Sequence, residues 1–179
     1  MDMEELVEKA KNGDKKAFTE LMLQIKDELY KIAKTRLKKD DDVFDAIQET
    51  MIIAFKTLKK LKQNSCFKSW LIKILINKSN DIYKKENKKN VIYLEDIENN
   101  ITNSSLDIEN IELVLDFNFI CKHLKYEERI IMTLFYMEKF TDKEIGKILE
   151  LKENTVKTKR TRAIKEIKKI LEKGEKKYG

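Results

Sequence analysis

The chain of 179 residues has no proline, four glycines, two cysteines, one histidine and one tryptophan. Without proline and with so little glycine, nothing in it punctuates the chain often enough for an all-β fold. Cys66 and Cys121 stand 55 positions apart with no second Cys beside either, which argues against a zinc cage or a disulfide framework and suits a reducing compartment. The single histidine, His123, leaves almost no material for a Ser-His-Asp triad or a His-based metal centre, and it reads as an ordinary helix residue. No apolar run approaches the ~18 residues of a membrane span, and the opening residues lack the order of a signal peptide. The expectation is a cytoplasmic protein with no membrane insertion and no cofactor or metal.

What is abundant is helix-forming and charged. Hydrophobic residues make up 41% and charged residues 39% of the chain, for a net charge of +6. The sign is segregated: residues 1–54 carry −3, residues 55–89 carry +9, residues 90–117 carry seven acids and no Lys or Arg, and residues 118–179 carry +7. Two basic blocks divided by an acidic one suggest two nucleic-acid-facing modules and a tether. The expected fold is all-α: two helical domains joined by an acidic linker, the second containing a helix-turn-helix. The boundaries read as 1–90, 91–112 and 113–179.

The first basic block is organised by DAIQETMIIAFKTLKKLKQNSCFKSWLIKILINKSNDIYKKENKK, residues 45–89. Ile47, Met51, Ala54, Phe55, Leu58 and Leu61 share one helical face, and Asp45, Gln48 and Glu49 fall off it. A polar turn with Gln63, Asn64 and Ser65 follows, and then a second helix with Phe67, Trp70, Leu71, Ile74, Leu75 and Ile82. Lys68, Lys73, Lys78, Lys84 and Lys85 are interleaved, with Asn77 and Asn80 among them. Two readings fit: a buried aromatic stripe with a solvated lysine face, or a surface on which rings stack unpaired bases and ammonium groups hold phosphates. Upstream, a short helix ending at Gly13-Asp14 precedes a sustained stripe from Phe18 to Leu37, and Asp40 or Asp42 is a candidate cap for the next helix.

In the second basic block, Thr141-x-x-Glu144 has the pattern of a capping box and starts a short helix with Ile145, Ile148 and Leu149. After a turn at 150–153, Val156, Ala163, Ile164, Ile167 and Ile170 can pack inward. Asn154, Thr155, Lys157, Thr158, Lys159, Arg160 and Arg162 crowd the start of the next helix. A helix-turn-helix sets that end of its second helix in the major groove, where Arg and Lys donate to guanine edges and Thr meets thymine methyls.

The order Asp45-x-x-Gln48-Glu49-Thr50, Phe67-x-x-Trp70-Leu71, Asn77 and Asp81 resembles region 2 of a bacterial RNA polymerase sigma factor of the extracytoplasmic-function (ECF) type. Thr141, Glu144-Ile145, Thr155-Val156-Lys157 and Arg162-Ala163 resemble region 4 of the same family. The departures are Glu150 and Asn154, where the family often has Gly, and Lys152, where it often has a Ser or Pro cap.

The resemblance implies a non-enzymatic specificity subunit for promoter-specific transcription initiation, of the kind used in stress responses. It implies core-polymerase binding through Asp45, Gln48 and Glu49 on the clamp, with region 4 on the flap. It implies −10 element reading and melting by Gln63, Asn64, Ser65, Phe67, Trp70, Lys73, Asn77, Asn80, Lys84 and Lys85. It implies −35 recognition by Asn154, Thr155, Lys157, Thr158, Lys159, Arg160 and Arg162. Core RNA polymerase and promoter DNA are the implied partners, and an anti-sigma factor is a further candidate. The alternative is a stand-alone helix-turn-helix regulator that binds duplex DNA as a dimer.

Overall fold

A computed structural model describes residues 2–89, 121 and 123–178, with side chains described for 2–86, 121 and 123–170. The expected linker and the start of the expected second domain lie outside the described residues. Seven α-helices carry the described fold: α1 (Met3–Lys11), α2 (Lys15–Lys34), α3 (Asp40–Thr57), α4 (Phe67–Lys89), α5 (Tyr126–Met132), α6 (Asp142–Leu149) and α7 (Glu153–Tyr178). Helix α5 continues as a π-helical turn over Thr133–Met137.

Local chemistry sets these boundaries. Asp2 accepts from Met3 N to start α1, and Asp14 accepts from Lys16 N at 2.8 Å and Ala17 N at 3.1 Å to start α2. Between them Gly13 has φ 99°, a conformation that residues with a Cβ rarely adopt. Helix α3 departs from expectation: Lys39 is its N-cap with no side-chain hydrogen bond, and Asp40, Asp41 and Asp42 form its first turn. There they suit the helix dipole instead of capping. Asp40 accepts from Tyr30 Oη at 2.8 Å and Lys34 Nζ at 2.9 Å, which ties α3 to α2.

Helices α1–α4 pack around Leu6, Leu21, Ile25, Leu29, Ile32, Val43, Ala46, Ala54, Phe67, Leu71 and Leu75, all essentially solvent-free. The expected stripe holds at Ile47, Ala54, Leu58 and Leu61, which are buried, and at Met51, which is partly buried against the core, and it fails at Phe55. Val43, Ala46, Ile47, Thr50, Ala54 and Leu58 point inward, while Phe55 remains 54% exposed, in an edge-to-face contact with Phe18 whose ring centroid is 5.2 Å away. Small Ala46 and Ala54 let α3 approach its neighbours, which places the large side chains one step round the helix on the outside.

Helices α5–α7 form the second module. The capping box is present: Thr141 Oγ1 accepts from Glu144 N, and Glu144 Oε2 accepts from Thr141 N at 2.8 Å. The Thr141 backbone and side-chain donors hold the Glu144 carboxyl below its usual range. The turn between α6 and α7 places Glu150 at φ 58°, the left-handed conformation that glycine favours and that a residue with a Cβ adopts at a cost. The carbonyl of Lys152 accepts from Thr155 N and Val156 N, so α7 starts at Glu153, and Asn154 lies in its first turn rather than capping it.

Gly146 fixes the closeness of α6 to the turn. Leu151 N donates to Gly146 O at 2.9 Å, and a Cβ on Gly146 would lie 2.7 Å from the Leu151 carbonyl oxygen. Backbone cannot yield cheaply there, so Gly146→Ala is expected to destabilise this module by about 1–3 kcal/mol despite alanine's better helix propensity. Thermal denaturation checks it, and an unchanged or raised melting temperature would contradict the close approach.

The two modules share one core. Ile130, Ile131, Leu134, Ile145, Ile148 and Val156 belong to the same buried cluster as Leu71, Ile72, Leu75 and Ile76.

Candidate nucleic-acid interface

The turn before α4 is held by the first helix. Asn64 Nδ2 donates to Glu8 Oε2 at 2.8 Å, and Asn64 Oδ1 accepts from Lys11 Nζ at 3.0 Å. The Asn64 amide holds the Glu8 carboxyl below its ordinary range. Gln63 and Ser65 remain exposed beside it, with Gln63 Oε1 accepting from Cys66 Sγ. The turn is thus a fixed polar notch in which Gln63 and Ser65 present their groups outward and Asn64 is engaged.

On α4 the expected strand-binding set divides. Phe67 is fully buried under Trp70, with ring centroids 6.0 Å apart, so it anchors the core and has no face for a base; that corrects its expected role. Trp70 is half-buried. Lys84, Lys85 and Asn77 are exposed, whereas Lys73 Nζ pairs with Glu150 of the second module at 2.9 Å. Asn80 is partly covered, and its Oδ1 is buried without a hydrogen-bond partner among the described residues.

Near the start of α7, Asn154, Lys157, Thr158 and Arg162 are exposed in the order a groove-reading helix needs. Thr155 is half-buried beside Val156. Lys159 is drawn into an ion pair with Glu127. Arg160 is engaged more fully: Nε and Nη2 donate to Asp142 Oδ1 and Oδ2 at 2.9 and 2.7 Å, and its guanidinium lies 4.0 Å over the Phe135 ring. It clips α7 to the start of α6 through one edge of its guanidinium and packs on a ring, so it is a structural tie between the two helices instead of the freely exposed reader expected. Thr161 and Lys165 extend the exposed face beside Lys157 and Arg162. Their spacing of four from Lys157 and Thr161, respectively, was the signal that could have found them.

A third surface lies on α3. Asp45, Gln48 and Glu49 are exposed as expected, and Glu49 reaches Lys78 at 3.2 Å. Around them runs an apolar stripe absent from the expected set: Phe44 is 59%, Ile52 47% and Phe55 54% exposed. With Gln48 these positions advance by four, four and three, one continuous helical ridge. Its cue is in the sequence, but the periodicity of α3 admits two apolar faces, and Phe55 lies on the outer one.

Among the described residues no group of three His, Cys, Asp or Glu could hold a metal ion, and no helix is long and apolar enough to cross a membrane.

Two protein families match this chain: Sigma-70 region 2 over residues 21–89 and Sigma-70 region 4 over residues 122–167. The RNA polymerase sigma factor SigV of Bacillus subtilis is 30% identical over 140 residues, which span 78% of this chain and 82% of that protein. The ECF RNA polymerase sigma-E factor of Haemophilus influenzae is 33% identical over 72 residues, 40% of this chain and 38% of that protein. Among solved structures, CnrH in complex with the cytosolic domain of CnrY superposes with a TM-score of 0.70 at 19% identity, covering 95% of this chain and 97% of CnrH. The sigma factor RpoE of Bartonella quintana, in complex with the anti-sigma factor NepR, also has a TM-score of 0.70, at 22% identity and covering 88% and 98%.

Proposed function

The chain belongs to the ECF-type RNA polymerase sigma factors, and from that premise we propose how its surfaces divide the work of promoter-specific initiation. The first module, residues 1–90, binds the polymerase clamp through Asp45, Gln48 and Glu49, extended by Phe44, Ile52 and Phe55. Gln63 and Ser65 read the −10 element, Trp70 supplies a ring for an unstacked base, and Lys73, Asn77, Asn80, Lys84 and Lys85 hold the strand. The second module, residues 113–179, sets Asn154, Lys157, Thr158 and Arg162 into the −35 major groove, with Thr155 and Lys159 at its edge. Residues 91–112 tether the two.

The chain acts as a specificity subunit, and the chemistry of polymerisation belongs to core polymerase. One observation supports the reading most: a single-strand-type surface and a duplex-reading helix occur in family order on one chain. A stand-alone regulator needs only the second. Like Bartonella RpoE with NepR, this chain is a candidate for restraint by an anti-sigma factor.

Run-off transcription with purified bacterial core polymerase on promoter-library DNA tests the proposal. Start sites that require both components, each preceded by a shared −35/−10 pair, are expected. Tight binding of the protein alone to duplex DNA, with no core-dependent initiation, would instead favour the regulator.

The engagement of Asn64 makes Glu8 a positioning residue for the −10 element. Glu8→Ala is expected to change base preference at one −10 position while leaving stability within about 0.5 kcal/mol. Transcription from promoters varied at each −10 base measures it, and an equal loss on every sequence would sink the assignment.

A further inference from the structure

We infer that the cleft where α4 meets α5 and α7 is a binding site for a small phosphate-bearing ligand of the nucleoside triphosphate class.

The cleft has two lobes of opposite character. The larger, of about 490 Å³, is lined by Arg36 just after α2, Lys84 of α4, Lys125 before α5, and Lys159 and Arg162 of α7. Its acids are Glu127 and Glu128, so five cations face two carboxylates. Lys159 is neutralised by Glu127, whereas Lys84, Lys125 and Arg162 are exposed and make no ion pair among the described residues. The Arg36 guanidinium lies between the Tyr83 and Tyr126 rings, 3.6 and 3.9 Å from their centroids. Its buried Nε has no hydrogen-bond partner among the described residues. Like charges gathered in a cleft repel one another and focus their field on an anion that enters.

The smaller lobe, of about 140 Å³, shares Asn80, Tyr126 and Glu127 with the larger one. Ile76, Ile130, Ile148 and Leu151 give it apolar walls, and Asn77 and Asn80 bring amides to its edge. Asn80 therefore stands between the lobes, and its buried Oδ1 has no partner among the described residues. A buried acceptor left in that state calls for a donor.

These features select the ligand. A phosphate chain answers the cations, and Arg162 can meet it with paired bonds. Inorganic phosphates offer Asn80 almost no donor at neutral pH, but a sugar hydroxyl or an exocyclic amine does. The apolar lobe suits a flat ring whose edge the two amides can read. Clefts of ~300–1,000 Å³ at domain boundaries are the usual setting of such sites. Lys125 belongs to neither proposed DNA surface, which separates this site from both.

A bound nucleotide would cover Asn80, Lys84 and Arg162, residues that the proposed function gives to the promoter. Nucleotide and promoter DNA should therefore compete. That consequence rests on the sigma-factor reading, and the binding itself does not.

Calorimetry on the full chain tests the site, with ATP, GTP and inorganic triphosphate as probes. A nucleotide is expected to bind one to one and to raise the melting temperature, and inorganic triphosphate should bind at least tenfold more weakly. Lys125→Glu should weaken nucleotide binding about tenfold or more, the loss expected for one charge-assisted contact. Its melting temperature without ligand should stay that of the wild type, because the side chain is exposed. Asn80→Leu should erase the preference for nucleotide over inorganic triphosphate.

No binding of either nucleotide, or a Lys125→Glu chain that binds them as wild type, would overturn the site. Inorganic triphosphate binding as tightly as the nucleotides would overturn the nucleoside class. Competition is read with a labelled single-stranded −10 oligonucleotide from the run-off promoter. The nucleotide should displace it from the wild type but not from Lys125→Glu, and bound nucleotide that displaces nothing would overturn the competition. Should run-off transcription define no promoter, the sigma-factor reading fails, and calorimetry still decides whether the site exists.

Discussion

Ile52→Asp combined with Phe44→Ala is expected to weaken binding to core polymerase by 2 kcal/mol or more, roughly thirtyfold, while leaving the fold intact. The two side chains are 47% and 59% exposed on α3, so their replacement opens no cavity, and stability should stay within about 0.5 kcal/mol. Exposed apolar ridges of this kind mark interfaces in soluble proteins, and charged residues beside them set orientation. Asp45, Gln48 and Glu49 occupy that bordering position.

The energetic centre of the proposed clamp contact is therefore the apolar ridge, with the carboxylates steering approach. Asp45→Asn should lower the association rate and its salt dependence more than the lifetime of the complex, and the Ile52 variant should shorten the lifetime. Binding kinetics with labelled core polymerase separate the two. An Ile52→Asp, Phe44→Ala chain that binds core as wild type would remove α3 from the clamp contact.

Most of the fold was legible because the signals were local. The capping box at Thr141 and Glu144, the Gly13-Asp14 break and the apolar periods of α2 and α4 each depend on a few consecutive residues. The misreadings share a cause too. Phe55 fits a 3.6-residue period with either of two faces of α3, and only packing against small Ala46 and Ala54 decides between them. Phe67 is aromatic and sits among lysines, but burial depends on α1–α3 and not on its neighbours in sequence. The engagements of Asn64 by Glu8 and Lys11, and of Lys73 by Glu150, join residues 53 to 77 positions apart, beyond any pattern in a single sequence. Residue types at the site were readable; which of them are already occupied was not.

That distinction makes the second prediction one of contrast between two cations three residues apart. Lys157→Ala is expected to cost about 1–3 kcal/mol of −35 affinity if its ammonium contacts a base pair, with no change in melting temperature, because the side chain is exposed. Arg160→Ala should abolish −35-dependent transcription by another route. Its side chain is 18% and that of Asp142 15% exposed, so removing the guanidinium strands a largely buried carboxylate and empties the space over Phe135. A loss of about 2–4 kcal/mol in stability is expected, near the lower part of the range for a broken buried pair because the α6 N-terminus still favours the Asp142 charge.

Arg160→Lys should rescue little, since an ammonium cannot replace the two parallel bonds or the stacked plane. A double-mutant cycle with Asp142→Ala should return a coupling of about 1–3 kcal/mol measured by denaturation without DNA. Were Arg160→Ala to melt as wild type and lose only −35 affinity, Arg160 would be a reader of DNA after all, released from Asp142 when α7 enters the groove.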